Sequence, residues 1–379
     1  SPQSGKIRRA LDGMLCLLGF NHLAPSADLL FLSAMLKNAA EFARWIAEFT
    51  GRPCVCVDLL WKPSRQARGV LIYKNEDLNK ARHAAVAIQN AENKRKGKIA
   101  KGLLAPAVRE LVVQPWAIWG LQHNWLGQKM AQYLINKVLD LPVGLSGDWR
   151  YNAIYLKPNA NQVAVRLAVS AARNGLKSIV FVNTKKDAVS VAREISSKLD
   201  EAVQPTESER ARWEALETEL GGLKHALLSA PAIAVPHNSS MLRLERDLSE
   251  RMFKRTDGAK VIVATPTLAQ GLNLPAHLSI LAGDKRADAN QKSREDLEAH
   301  EILNAAARAG RAGHLANGVV LLIPEPIISF SDGKSVDLNV IKKLKSVLPE
   351  DDRCVIISDP LEIVLDRLMQ GESLDADVR

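Results

Sequence analysis

The chain has 379 residues, 47% of them apolar and 25% charged, with a formal charge of +9 and four cysteines. This is the composition of a globular protein of two or three domains. No apolar run reaches the ~20 residues of a membrane span, and no signal-peptide core opens the sequence, so no membrane partner is expected. The positive charge suits a polyanionic partner, although net charge speaks to association and not to fold.

Residues 1–75 read as helix, strand, helix, strand, strand. RRALDGMLCLLGF has helical periodicity, and ADLLFLSAM is a short buried-strand run. NAAEFARWIAEFTG is an amphipathic helix stopped at Gly51, and CVCVDLL and RGVLIYK complete the segment as strands. Cys54 and Cys56 alternate along CVCVDLL and are expected to pack there. With Cys16 and Cys354 far off in sequence, the four read as reduced thiols of a cytoplasmic protein, not as a disulfide framework or a zinc site.

Residues 76–151 change character and read as a connector or insertion. A charged helical pattern, NEDLNKARHAAVAIQNAENKRKGKIAKG, precedes the Trp-bearing ELVVQPWAIWGLQHNW and then GLSGDWR. The basic run Lys94, Arg95, Lys96, Lys98 and Lys101 is either a solvated face or a binding site. Trp116, Trp119 and Trp125 either stack bases or pack in a core or interface.

From residue 152 the pattern is regular. SIVFVNT, APAIAV, AKVIVAT, LSILAG and GVVLLI are short apolar strands. They alternate with the helical KKDAVSVAREISSKL, MLRLERDLSERMFKR and REDLEAHEILNAAARAG. Such alternation predicts an α/β fold with a parallel sheet flanked by helices, and ligands in such sheets bind beyond the carboxyl ends of strands. The polar runs DEAVQPTESERAR and GDKRADANQKSRED are expected as surface segments.

No complete phosphate-binding loop is visible. SPQSGKI lacks the first glycine and the hydroxyl residue after Lys6, KRKGKIA is a basic helix or loop, and SDGKSVD has Ile328 where the first glycine is required. DEAV at 200–203 follows a helix and not a buried strand, so it is no acidic metal motif.

Other turns do carry chemistry. In KVIVATPTLAQGLNLPA, Thr265 and Thr267 follow a buried strand and suit a phosphodiester backbone or cap a helix. Gly271 and Asn273 suit close backbone approach and a side-chain amide contact. Asn183 and Thr184 begin a helix after a strand, again a phosphate-friendly turn, and His237 follows another strand. In NAAARAGRAG, Arg308 and Arg311 lie three apart with no acid beside them, which calls for an anion.

TPTLAQGLNLPA and NAAARAGRAG resemble motifs V and VI of superfamily 2 helicases, especially the superkiller-like DExH branch. SIVFVNTKKDA resembles motif IV, VPHNSSMLRLER the His-led segment before motif V, and LFLSAMLKNAAEFARWI motif III. Order and spacing match across roughly residues 28–325.

The resemblance implies two RecA-like lobes. Residues 1–75 would be the tail of the first and 76–151 a connector. Residues 152–330 would be the second lobe, and 331–379 the opening of a C-terminal extension. It also implies that the phosphate-binding loop and DExH box lie upstream, so this chain alone is expected to be inactive. The full protein would be an ATP-dependent helicase using ATP and Mg2+, held mainly by first-lobe residues, on single-stranded DNA or RNA. A protein partner is a further expectation.

By the family pattern Arg311 would be the arginine finger and Arg308 its neighbour on the phosphates, with Gly271 and Asn273 also on the ATP side. Asn183, Thr184, Thr265, Thr267 and His237 would face nucleic acid. Ser33 and Ala34 would couple the two events, or Ser33 would only cap a strand end. Asn304 stands where the family has Gln, and Ala307 where it has Gly. The rival reading is a non-enzymatic lobe kept as a nucleic-acid or protein-binding platform.

Overall fold

The computed structural model describes residues 2–33, 36–58, 65–123, 134–136, 138–139, 141–199, 201–229, 232–265, 274, 276–287, 294–296, 317–325, 327–331, 355–357 and 369. The chain divides into two compact units, residues 1–61 with 351–379, and residues 62–350.

The first unit contains helices α1 (Pro2–Leu23) and α2 (Ala39–Thr50). Helix α2 stops where expected, because Gly51 takes the left-handed conformation (φ 65°) that releases the chain from the helix. Its aromatic stripe stacks Phe42 on Trp45 and Trp45 on Phe49, at centroid distances of 5.9 and 5.7 Å.

Among the described residues the two strands expected here do not form. Residues 27–33 and 53–58 form no ladder, Cys54 and Cys56 are exposed, and Val55 and Val57 are 83% and 77% exposed. A strand is stable only with a hydrogen-bonded neighbour. Among the described residues of this unit the only such pairing is the bridge between Leu36 and Val355. Asn38 extends it, donating to the Ile357 carbonyl at 2.7 Å and accepting from the Ile357 N–H at 3.0 Å. Residues 355–357, expected in a C-terminal extension, thus pair within the N-terminal unit.

The second unit opens with β1 (Arg65–Lys74), α3 (Asn75–Arg95), α4 (Ala105–Arg109), β2 (Val112–Val113), β3 (Ala117–His123), β4 (Leu134–Asn136) and β5 (Val143–Gly144). The hairpin β6 (Ser146–Arg150) and β7 (Ala153–Lys157) follows. Then come α5 (Ala160–Arg173), β8 (Ser178–Phe181), α6 (Lys185–Leu199), α7 (Glu207–Leu220), β9 (Ala234–His237), α8 (Arg243–Lys254) and β10 (Val261–Ala264). The unit closes with β11 (Leu278–Ala282), β12 (Lys285–Ala287), β13 (Arg294–Asp296), β14 (Asn317–Ile323) and β15 (Ile328–Phe330).

The described strands form a sheet in the order β4-β3-β1-β14-β11-β8-β10-β9, with β15 also on β1. From β1 to β9 every pairing is parallel, whereas β3 and β4 add antiparallel edges. This is the expected α/β class, consistent with a RecA-like lobe. Central strands are apolar on both faces (VIVA in β10 is wholly buried) because helices cover both sides. The strand RGVLIYK, read with the first 75 residues, is a central member of this sheet beside β14. The stretch around Trp116 and Trp119, read as connector, supplies the neighbouring strand β3.

Two polar runs read as surface segments hold regular structure. Thr206 and Glu209 form a reciprocal capping box that starts α7. Lys285–Ala287 and Arg294–Asp296 pair as an antiparallel ladder, so residues 294–296 are strand where a helix start was expected. The rest of that expected helix lies outside the described residues.

Candidate functional site

The parallel register brings the strand ends level. Ala264 of β10 lies opposite Phe181 of β8 and His237 of β9, and Leu281 of β11 lies opposite Phe181 and Leu322 of β14. The residues that follow these strands, among them Asn183, Thr184, Thr265 and Asp284, therefore emerge at one carboxyl edge. That is where an α/β sheet presents its ligand-binding turns.

Thr184 caps α6. Its hydroxyl donates to the Asp187 carboxylate at 2.6 Å and accepts from the Asp187 N–H at 3.1 Å. The helix N-terminus thus already has an acidic side chain in its first turn, which offsets the positive end of the dipole. Asn183 is half-buried against the backbone of Gly283. A Cβ on Gly283 would stand 3.1 Å from Asn183 Nδ2, and Gly283 has φ +110°, so glycine both frees the turn and leaves room for the amide. Asp284 is buried and accepts the Glu325 N–H at 3.0 Å, tying the ends of β11 and β14 together. Thr265 is buried at the end of β10.

His237 sits differently from the sequence expectation. It is 2% exposed, and its Nε2 lies 3.1 Å from Glu250 Oε1 on α8. Burial pulls its pKa below the usual histidine value, with the Glu250 carboxylate opposing that shift. The ring is thus enclosed against α8. Its neighbour Asn238, also buried, donates to the Lys185 carbonyl at 3.3 Å and accepts from the Ser240 N–H at 2.9 Å. The loop after β9 is thereby fastened to the start of α6.

Other candidates separate cleanly. Trp116 and Trp119 pack edge-on against Phe330, at centroid distances of 6.3 and 5.6 Å, and serve the β1–β3–β15 region as packing residues. The run from Lys94 to Lys101 is exposed apart from a 2.8 Å pair between Arg95 and Glu92. Ser33 is exposed in the N-terminal unit. Ala34, Trp125, Thr267, Gly271, Asn273, Asn304, Ala307, Arg308 and Arg311 lie outside the described residues. Among the described residues no group of three His, Cys, Asp or Glu side chains could hold a metal ion, and no helix is long and apolar enough to cross a membrane.

Sequence reasoning missed Gly283, Asp284 and Asn238. The Gly-Asp pair straight after a buried strand was a legible signal for the first two. Asn238 had none beyond its place beside His237.

No family model matches the chain. Individual relatives do. It is 31% identical over 175 residues to the RQC trigger complex helicase SLH1 of Saccharomyces cerevisiae, covering 44% of this chain and 9% of that one. It is 32% identical over 163 residues to the ATP-dependent DNA helicase Hel308 of Pyrobaculum calidifontis, covering 42% and 23%. It is 31% identical over 150 residues to the U5 small nuclear ribonucleoprotein 200 kDa helicase of Drosophila melanogaster, covering 38% and 7%. The chain thus spans less than a quarter of the length of these curated relatives. The α/β sheet and these similarities support the resemblance to superfamily 2 DExH-box helicases of the superkiller-like branch.

Proposed function

We propose that this chain is part of an ATP-dependent nucleic-acid helicase or translocase and carries the second RecA-like lobe, residues 152–330 together with the strands β1 and β3 that join its sheet, with the tail of a first lobe before it. The observation that supports the reading best is the level register of β8, β9, β10, β11 and β14, which gathers the turns at Asn183, Thr184 and Thr265 along one edge. Thr184 and Asn183 would meet phosphodiester oxygens there. Thr184 would do so by exchanging its bond to Asp187 for one to the strand. Thr265 and Thr267 would extend the same grip. Gly271 and Asn273 would border the nucleotide, and Ser33 and Ala34 would report its state from the first lobe.

ATP, when bound, supplies the phosphoryl group whose transfer to water drives the cycle. Arg308 and Arg311 would face the phosphates. A fixed guanidinium at Arg311 would stabilise the charge that develops on the transferring oxygens. Mg2+ would share the ATP phosphates and be held mainly by first-lobe residues.

The test is Arg311→Ala in the full-length helicase. Its steady-state ATPase should fall at least ~100-fold, with single-strand affinity in the absence of nucleotide unchanged. Arg311→Lys should recover little, because an ammonium lacks the planar fork that bridges phosphate oxygens. A variant that loses strand binding but keeps its ATPase would assign Arg311 to the other face and favour a binding platform.

A further inference from the structure

The hairpin β6–β7 has an outer face that none of the preceding roles uses. Its inner face buries Trp149 and Ile154, and strand alternation sends Asp148, Arg150, Tyr155 and Lys157 outward. Arg150 and Lys157 both bond the Asp148 carboxylate, at 3.3 and 2.7 Å, so two exposed cations share one acid. Tyr155 is exposed between them. At the tip, Arg150 pairs with Ala153, leaving the two-residue turn Tyr151-Asn152.

Both turn residues have positive φ, 50° and 57°. A tight two-residue hairpin demands this, and Asn, Asp or Gly usually meets the demand. Asn152 fits. Tyr151 does not, since a bulky side chain in the left-handed region is strained. Nor does packing explain it, because Tyr151 is 94% exposed. An aromatic held at a backbone cost, with its ring in solvent, Arg150 next to it and Lys157 further along the same face, is accounted for by something that binds the ring.

We propose that the outer face of the β6–β7 hairpin is a contact site for single-stranded nucleic acid. A base stacks on Tyr151, and Arg150 and Lys157 take neighbouring phosphates. The charge argues for this occupant over a protein surface: the face offers cations and π-faces without a contiguous apolar patch. Sequence-tolerant strand binding combines those same two elements. The site rests on the helicase reading but is separate from the carboxyl-edge turns.

The test uses the full chain and an oligothymidylate of about 15 nucleotides, intact or with abasic positions. Tyr151→Asn removes the ring and suits the turn. It should bind the intact strand about tenfold more weakly, with an unlowered thermal midpoint. Tyr151→Phe, which keeps the ring, should bind like the wild type. On the abasic strand Tyr151→Asn and wild type should bind alike. Arg150→Gln and Lys157→Gln should each flatten the log–log salt slope by about 0.7.

If wild type binds the strand and Tyr151→Asn binds it equally well, the hairpin proposal falls while the helicase reading stands, and the face belongs to a protein partner. An equal loss on both strands would also overturn stacking. If the wild-type chain binds no strand at all, both readings fall together.

Discussion

Two short apolar runs in this protein have opposite fates. VIVA, residues 261–264, lies in the middle of the sheet with every residue buried, whereas VCV, residues 55–57, stands in solvent with Val55 and Val57 more than three-quarters exposed. Their β-propensities are alike. They differ in neighbours: β10 is hydrogen-bonded on one side to β8 and on the other to β9, while residues 53–58 have no ladder among the described residues. An apolar run becomes a strand only where another segment satisfies its backbone. The comparison teaches that burial in this chain follows pairing, not hydrophobicity alone.

The sharpest way to break that comparison is to place a charge in each run. Val263→Asp puts an unpaired carboxylate among fully buried side chains and should destabilise the sheet by at least ~4 kcal/mol or prevent folding. Val55→Asp should change the same urea midpoint by no more than ~0.5 kcal/mol. Equal effects would mean that residues 53–58 are buried in solution. As a companion measurement, Cys54 and Cys56 should react with a thiol reagent under native conditions.

A second experiment asks how far the well-laddered unit depends on polar staples. Glu245 is buried on α8, and its carboxylate accepts the N–H groups of Leu227, Leu228 and Leu242 at 2.7, 3.1 and 2.8 Å. Glu245→Ala leaves three donors without that partner and should cost about 3 kcal/mol in urea unfolding. A cost under ~1 kcal/mol would show that water replaces the carboxylate easily.

Thr206 starts a helix that its polar sequence hid. Thr206→Ala removes the hydroxyl half of the capping box and should lower stability by about 1 kcal/mol, with Thr206→Ser restoring most of it. An unchanged unfolding midpoint would show that packing of Trp213 and Leu216 alone holds α7.

A last experiment concerns pH. Lys177, just before β8, donates to the carbonyls of Phe253 and Arg255, which favours its charged form. Burial outweighs this and lowers its pKa to about 8. Between about 8 and the model-peptide lysine value near 10.4 the unfolded chain holds more protons at this site than the folded chain. Stability should therefore gain from Lys177 as pH rises through that window, and the penalty should be constant below it. Lys177→Met should remove this rising contribution; identical pH profiles for the two proteins would show that the ammonium is not destabilised.

Much of the central sheet was legible because its signals are local. SIVF, VIVA and LSILA match the expected strands, the periodicity of the helical runs gives α6 and α8, and the Thr and Asn residues sit in the turns right after strands. APAIAV, expected at 230–235, is shifted, because β9 runs from Ala234 to His237 and takes in the histidine. Gly51 stops α2 for a reason contained in one residue. The capping box at Thr206 is equally local, but the polar run around it masks the helical pattern.

Pairing and enclosure were decided by the tertiary structure, since both depend on partners far away in sequence. Nothing near RGVLIYK says that it lies beside residues 317–322, or that the Trp116 region runs antiparallel on its other side. Nothing in VPHNSS says that the His237 ring turns inward to Glu250 on the next helix, nor that Asn183 rests on Gly283. The sequence by itself determined which residue types stand at which turns, because strand and helix periodicity are properties of neighbouring residues. Which of those side chains are buried, and which strands share a ladder, was set by long-range hydrogen bonding and desolvation, whose partners are chosen only when the chain folds.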